Sequence, residues 1–448
     1  MRASLLELGL LGGLALASSA CSWSRFDDVT ADSPIVLFEK PGAMKSGFGV
    51  TLATATKDGQ TEVLVGGATS VSGAALYDIG NDDSPGTTSI DTGYCSGSGQ
   101  DCYLSSRIAG FANARGPDQV RPLCFAVGTG TADQSGLVIR CKDTAEYALK
   151  MPDVAQKLLA VTFAQNQPYD HPMATDRTDD PVLLASLPEK KIAWFYPSRS
   201  LDFSELELPE DADADDPSFG QSLAVLAVDG GRVLAVAVPG KSRVFLWKAD
   251  EDGNSAFIGC LGDVGGLGRA LASGRVNGDD ADDLVVSDDV NVHVIDGAAL
   301  FDLPETDASE CRLSSLPRGA LLNSFACGST SSLSGCENSE FGAAVAVGDL
   351  DGDGDGEVIV GAPKMTVRDE GNAGALLVYE ADQADESTFV DSKFISSAEN
   401  GDELGRSIVT PRIANRDIIA AGAPGNGKAA LFYCSSLLAT GAAGSRCP

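Results

Sequence analysis

The stretch from Gly348 to Val358, GDLDGDGDGEV, sets acids at Asp349, Asp351, Asp353 and Asp355 and closes with Glu357. Calcium takes about six to eight oxygen ligands at about 2.3 to 2.6 Å, and carboxylates at alternate positions on a Gly-containing turn converge on one point. Asp355 is placed to give its backbone carbonyl. Five acids this close repel one another without a cation. Ca2+ is therefore expected here, tying strands together rather than performing chemistry. A second loop, RVNGDDADDLVV, offers Asn277, Asp279 and Asp283 but has Arg275 at the first ligand position, where a guanidinium replaces the ion electrostatically. It reads as a weaker second site. In TATKDGQTE the aligned positions are Thr54, Thr56, Asp58 and Glu62, Lys57 adds positive charge, and no ion is expected.

Other constellations carry less chemistry. Two His in 448 residues leave little scope for imidazole catalysis, and neither GxSxG nor HExxH occurs. GAPGNGKA, residues 422–429, is close to a phosphate-binding loop, but Ala429 replaces the Ser or Thr that holds Mg2+ and the strand-like AALFY follows where a helix is needed. His293 lies in the alternating segment NVHVI and reads as structural. His171 sits in QPYDHPMATDRTDD beside Tyr169, Asp170 and Arg177, read as a surface loop. The acidic stretch PEDADADD, residues 209–216, reads as solvated, with weak calcium binding as its alternative. With 64 acidic against 32 basic side chains the formal charge is −32, which argues against nucleic acid as a partner.

The elements that must position these loops repeat along the chain. In FGAAVAVGDLDGDGDGEVIVGAPKMTVRDEGNAGALLVY, residues 341–379, three apolar runs of strand length alternate with loops rich in Gly and Asp. The same order recurs from residues 48, 219, 267 and 404, and more faintly from 110 and within 157–198, where KLLAVTFA, PVLLASLP and KIAWFYPS supply the runs. Each copy gives three strands, and a fourth fits between copies, as FIGCL after the copy from 219 and KFISS after that from 341. Four antiparallel strands recurring every 45 to 75 residues or so suit the blade of a β-propeller. The fold expected is all-β, a seven-bladed propeller of four-stranded antiparallel blades. The last copy lacks a fourth strand, so PIVLFE, residues 34–39, is expected to complete its blade and close the ring.

The pairing of an FG or LG start with a GAP-type end, clearest in Phe341-Gly342 with Gly361-Ala362-Pro363 and again in Gly422-Ala423-Pro424, resembles the FG-GAP repeats of integrin α-subunit propellers and their bacterial relatives. The resemblance spans roughly residues 34–434. It implies a seven-bladed propeller, a calcium loop at 349–357 with Glu357 where the family closes on Asp, and a role in extracytoplasmic recognition or adhesion.

Residues 5–20, LLELGLLGGLALASSA, form an apolar run too short to span a bilayer and end on small residues before Cys21. That junction resembles the lipobox of bacterial lipoproteins, in which the Cys is acylated. Removing Cys21 from the 11 cysteines leaves ten, which fall into the neighbours Cys95 with Cys102, Cys124 with Cys141, Cys260 with Cys311, Cys327 with Cys336, and Cys434 with Cys447. The expected organisation is a signal peptide over 1–20, a lipid-anchored tether over 21–33, the propeller over 34–434 and a tail over 435–448. The function expected is a non-catalytic, calcium-stabilised binding or scaffold module at the cell envelope, membrane-bound through Cys21 and sorted to the outer membrane, with a protein or glycan ligand. The alternatives are simple secretion and a lyase-like enzyme acting on polysaccharide through the 166–180 loop.

Overall fold

The computed structural model describes residues 35–432 apart from 41–46, 58–59, 68–73, 80–86, 92–108, 113–122, 132–133, 142–172, 176–182, 188–191, 197–203, 211, 251–253, 304–310, 312, 328–337, 351, 353, 368–369, 380–387, 392–399 and 414–415. Its elements are almost all strands. Among the described residues there is one α-helix, Gly297–Phe301.

Among the described residues the strands assemble into seven antiparallel sheets of three or four strands and one two-stranded ribbon. In chain order, the first sheet holds Thr51–Lys57, Gln60–Gly66, Ala74–Ile79 and Thr87–Asp91. The second holds Ala109–Ala112, Leu123–Thr131 and Gln134–Cys141, and the third Met173–Thr175, Leu183–Leu187, Ile192–Tyr196 and Ser204–Glu205. The fourth consists of Leu223–Val228, Gly231–Val238, Arg243–Ala249 and Ser255–Leu261. Leu271–Gly274, Asp283–Ser287, Asn291–Ile295 and Leu321–Ala326 make the fifth, and Ala344–Gly348, Glu357–Ala362, Ala375–Tyr379 and Thr388–Asp391 the sixth. The seventh combines Ser407–Val409, Ile419–Ala423 and Lys428–Phe432 with the N-terminal strand Ile35–Leu37, which pairs with Lys428–Phe432 in the register Ile35 to Phe432, Val36 to Leu431 and Leu37 to Ala430. The ribbon, Arg412–Ile413 with Arg416–Asp417, forms within the connection between Ser407–Val409 and Ile419–Ala423 of that sheet.

Central strands are covered on both faces, so they read as continuous apolar runs rather than alternating ones. In Glu357–Ala362 every residue is buried. The pleat sends successive side chains to different neighbours: Val358 and Val360 pack with Val285, Val292 and Phe341 of the preceding side, whereas Ile359 packs with Ile408, Ile419 and Ala421 of the seventh sheet. Each such buried Val or Ile contributes about 1.5 to 3 kcal/mol. Similar shared cores join sheets three to four, four to five, and seven to one. The first strand of every sheet lies against the first strand of the next, and Ser407–Val409 of the seventh lies against Thr51–Lys57 of the first.

The FG and GAP residues meet between sheets. Gly49, Gly220, Gly268, Gly342 and Gly405 each donate a backbone N–H to the carbonyl of the last or next-to-last residue of their own sheet's second strand, respectively Gly66, Ala237, Ser287, Gly361 and Gly422, at 2.7 to 3.0 Å. At Gly342 the backbone is left-handed, with φ of 78°, and a Cβ there would lie 2.8 Å from Ser287 Cβ of the sheet before. Small residues are thus required on both sides of the contact.

Two segments differ from the sequence expectation. The fourth strand of the sixth sheet is Thr388–Asp391, upstream of KFISS, which lies outside the described residues. TFVD has the β-branched and aromatic content of a strand as well, and its position lets Thr388 reach Val378 across a short connection. In the third sheet the first strand is Met173–Thr175, inside the insertion read as a loop; pairing with Leu183–Leu187 supplies what its polar flanks conceal. KLLAVTFA lies outside the described residues.

Candidate metal centre

The loop 349–357 joins the first two strands of the sixth sheet, and Glu357 stands opposite Gly348 in the register. Gly352 and Gly354 take φ of 82° and 105°, conformations that fold the chain back between the acids. Asp349 and Glu357 are buried and Asp355 half-buried; Asp351 and Asp353 lie outside the described residues. Asp349 Oδ1 accepts the Gly352 N–H at 2.7 Å, and Glu357 Oε2 accepts the Leu350 N–H at 2.8 Å. Both ends of the loop are therefore carboxylates held against its own amides. Among the described residues no group of three or more His, Cys, Asp or Glu is gathered closely enough to hold a metal. The donor chemistry, all oxygen, fits a hard cation such as Ca2+ and not a soft one.

The loop is bound to its neighbours by a recurring latch. The residue entering the second strand of one sheet donates its N–H to the residue leaving the first strand of the sheet before: Asp282 to Ala227 at 2.8 Å, Gly356 to Arg275 at 2.6 Å, and Asp417 to Asp349 at 2.6 Å. Where that residue is Asp, its carboxylate accepts in return, Asp282 from Ala227 N–H at 2.9 Å and Asp417 from Asp349 N–H at 3.1 Å. Arg412 Nη1 lies 3.4 Å from Asp349 Oδ2 and 3.7 Å from Asp417 Oδ1. Neither Arg412 nor Asp417 was foreseen among the site residues. Aligning the copies on their second strands marks Asp282 and Asp417 as equivalent, but Arg412 becomes visible only through the ribbon that folds it back.

In the second loop the oxygens are turned to backbone amides. Asn277 Oδ1 accepts from Asp279 N–H, Asp279 Oδ1 from Ala281 N–H, and the buried Asp283 carboxylate from Val276 and Gly297. Burial pushes the Asp283 carboxyl up to about 7, the amides of Val276 and Gly297 offsetting part of that rise. Arg275 Nη1 lies 3.7 Å from the exposed Asp280. In the loop from Thr54, the Thr54 hydroxyl donates to the Glu62 carbonyl, and Thr61 donates to the Arg412 carbonyl of the two-stranded ribbon.

His293 is buried between Asp288 and Ser324, with Nε2 2.9 Å from Asp288 Oδ2 and Nδ1 2.8 Å from Ser324 Oγ. Burial would raise the Asp288 carboxyl, but hydrogen bonds from His293, Val290 and Asn291 outweigh it and hold it below the usual range. The acidic stretch 209–216 is engaged rather than only solvated: Asp213 pairs with Lys241 at 2.9 Å, and Asp216 accepts from Ser218 N–H at 2.8 Å. The GAPGNGKA turn runs from the 3-10 turn Pro424–Asn426 directly into the strand Lys428–Phe432, and Lys428 Nζ pairs with Asp402 at 3.0 Å. A phosphate would need that lysine and a helix end.

Cys260 and Cys311 are bonded. Cys124 and Cys141 stand directly opposite in the register of the second sheet. Cys327 is disulfide-bonded; Cys336, Cys95, Cys102, Cys434, Cys447 and Cys21 lie outside the described residues, as do Tyr169, Asp170, His171 and Arg177.

Comparison with curated proteins returns no match. The family model of the FG-GAP repeat matches residues 341–379, the first three strands of the sixth sheet together with the acidic loop. This chain therefore carries an FG-GAP repeat.

Proposed function

We propose that the seven sheets form a seven-bladed propeller acting as a non-catalytic, calcium-stabilised binding or scaffold module, exported and held at the cell envelope through a lipid on Cys21. The observation that carries the architecture is the unbroken succession of first-strand contacts, each sheet against the next and the seventh against the first. Such a wheel presents many loops on a rigid frame, which suits recognition of a protein or glycan. The FG-GAP repeat with its acidic loop supports calcium as the stabilising ion, with Asp349, Asp351, Asp353 and Glu357 supplying carboxylates and Asp355 its carbonyl. When bound, the ion supplies charge neutralisation at the loop; Leu350 and Gly352 amides orient the acids for it.

The test has two parts. Calorimetry of the full chain in calcium and in chelator should show a higher melting temperature with the ion, by mass action on the folded state; identical melts would remove calcium. Arrays of envelope glycans and proteins, probed with the same preparation, should retain the chain without turnover, whereas glycan cleavage lost in His171→Ala would make it an enzyme.

A further inference from the structure

We propose that Arg269, Lys364 and Arg406, gathered around Glu340 where the fifth, sixth and seventh sheets meet, form a docking face for an acidic peptide segment of a protein partner. The proposal rests on the binding-module reading above and names the chemistry of its partner. Arg406 Nη1 donates to Glu340 Oε2 at 2.7 Å, Arg269 Nη2 lies 3.6 Å from the same oxygen, and Lys364 Nζ pairs with Oε1. Three cations against one carboxylate leave this group with two positive charges, in a chain whose formal charge is −32.

The fold assembles the group from equivalent places. Arg269 and Arg406 each follow the glycine of an LG pair, Leu267-Gly268 and Leu404-Gly405, so the sheets on either side of the sixth send an arginine from the same position. Lys364 stands in the turn just after the second strand of the sixth sheet, Glu357–Ala362. Glu340 is pinned between them. Its backbone is left-handed, with φ of 54°, its carbonyl accepts the Ala343 N–H at 2.9 Å, and the carbonyl of Ser339 beside it accepts the Lys364 N–H at 2.9 Å. A non-glycine residue keeps that conformation only where its surroundings hold it. Burial would raise the Glu340 carboxyl, but the Lys364 hydrogen bond and the charges of Arg406, Lys364 and Arg269 outweigh it and hold it below the usual range. Glu340 therefore stays ionised and orders the three heads. Their side chains remain 31% exposed at Arg269, 43% at Lys364 and 42% at Arg406. Each guanidinium carries five N–H donors, more than one shared carboxylate takes up, and its fork matches an incoming carboxylate bidentately.

The fourth sheet shows what such cations take. Lys241, in the turn Pro239–Lys241 after that sheet's second strand, and Arg243 approach Asp213 at 2.9 and 3.9 Å. Asp213 belongs to the acidic stretch 209–216, so the carboxylate there arrives on a peptide of the chain itself. In the sixth sheet the turn lysine is joined by two arginines and, among the described residues, by one acid. At physiological salt, charges beyond about 8 Å are screened, so an approaching acidic peptide meets this local surplus rather than the charge of the whole chain.

The experiment is fluorescence anisotropy of a labelled hexaglutamate peptide with the full chain, in low salt and at about 0.15 M, beside a labelled polyuronate oligomer. Hexaglutamate should bind, more weakly as salt rises, and Arg269→Gln combined with Arg406→Gln should weaken it about tenfold, the scale of two exposed charge pairs. Lys248→Gln, whose lysine lies over the Phe301 ring, should leave binding unchanged. Should the double variant fail to fold, a photo-crosslinking hexaglutamate on the wild-type chain should mark fragments containing Arg269, Lys364 or Arg406, and marks confined to other fragments overturn the proposal. It is also overturned by no hexaglutamate binding, by equal binding to the double variant, or by polyuronate held more tightly than the peptide through the same arginines. Retention of envelope proteins or glycans on the arrays, unaltered in the double variant, keeps the binding-module reading and removes this face; no retention by either protein removes that reading and the docking face with it.

Discussion

Gly361 and Gly405 touch backbone to backbone across two sheets: a Cβ built on Gly405 would lie 2.9 Å from Gly361 Cα and 2.6 Å from the Ala375 carbonyl. Gly405 has φ of 90° and its N–H donates to Gly422 at 3.0 Å. Gly405→Ala therefore adds steric overlap to a conformation that L residues avoid, and should cost about 2 kcal/mol or more. Urea unfolding with an unchanged slope and a lower midpoint is the expected result. A midpoint equal to wild type would mean that the inter-sheet contact tolerates a methyl.

The N-terminal strand does more than pair with Lys428–Phe432. Phe38 packs edge-on against Tyr77 of the first sheet at 4.8 Å between ring centroids, and the Tyr77 hydroxyl donates to the Glu39 carbonyl at 2.5 Å. Burial, with Glu39 adding to it, raises the Tyr77 hydroxyl well above its ordinary value. Phe38→Ala should lose about 3 to 5 kcal/mol, and deletion of residues 33–40 should lower the melting temperature more. Scanning calorimetry of both variants decides it; an unchanged melt on deletion would show that the seventh sheet does not depend on its borrowed strand.

Acid sensitivity should concentrate at Asp288. Its carboxyl is held low in the folded protein and reverts to about 3.9 when unfolded, so the unfolded state binds the extra proton. Its stabilising contribution is complete above about pH 4 and is lost as pH falls through the depressed folded value. Between pH 5 and 2, taken as approximate limits of the window, wild type should lose more stability than Asp288→Asn, whose baseline is lower because the His293 and amide hydrogen bonds are weakened. Parallel curves in fluorescence-monitored acid titrations would assign the acid transition elsewhere.

The Cys260–Cys311 bond closes a separation of 51 residues between the fourth sheet's last strand and the connection leading to the fifth sheet's last strand. Replacing both by Ser should cost about 3 to 4 kcal/mol through the unfolded chain's added freedom. Denaturant midpoints measured on the double variant test this, and a loss under about 1 kcal/mol would mean that the bond adds little to the order the fold already imposes on Cys260 and Cys311.

Much of this fold was legible because its periodicity is doubled, in the copies and in the strands within them. The three apolar runs from Phe341 to Tyr379 fell where strands lie, and PIVLFE was marked as a borrowed strand by the missing partner of Lys428–Phe432. Less legible were the strands Met173–Thr175 and Thr388–Asp391, where three or four residues gain their conformation from pairing rather than from propensity. At the acidic loop the sequence sets the five acids close together in the chain, and the described residues include Asp349, Asp355 and Glu357. It did not reveal Arg412, because a counter-charge 63 residues away is set by packing of one sheet on the next and leaves no local pattern.

The pairing of Ile35 with Phe432, at the mouth of an antiparallel ladder, fixes how the molecule meets mechanical load. Pulled between an anchor upstream of Ile35 and a point downstream of Phe432, the ladder presents its rungs one after another, like a zip, and opens at low force. A grip elsewhere on the chain leaves that zip unstressed at its open end, so the direction of the tug, more than its strength, decides whether the seventh sheet survives.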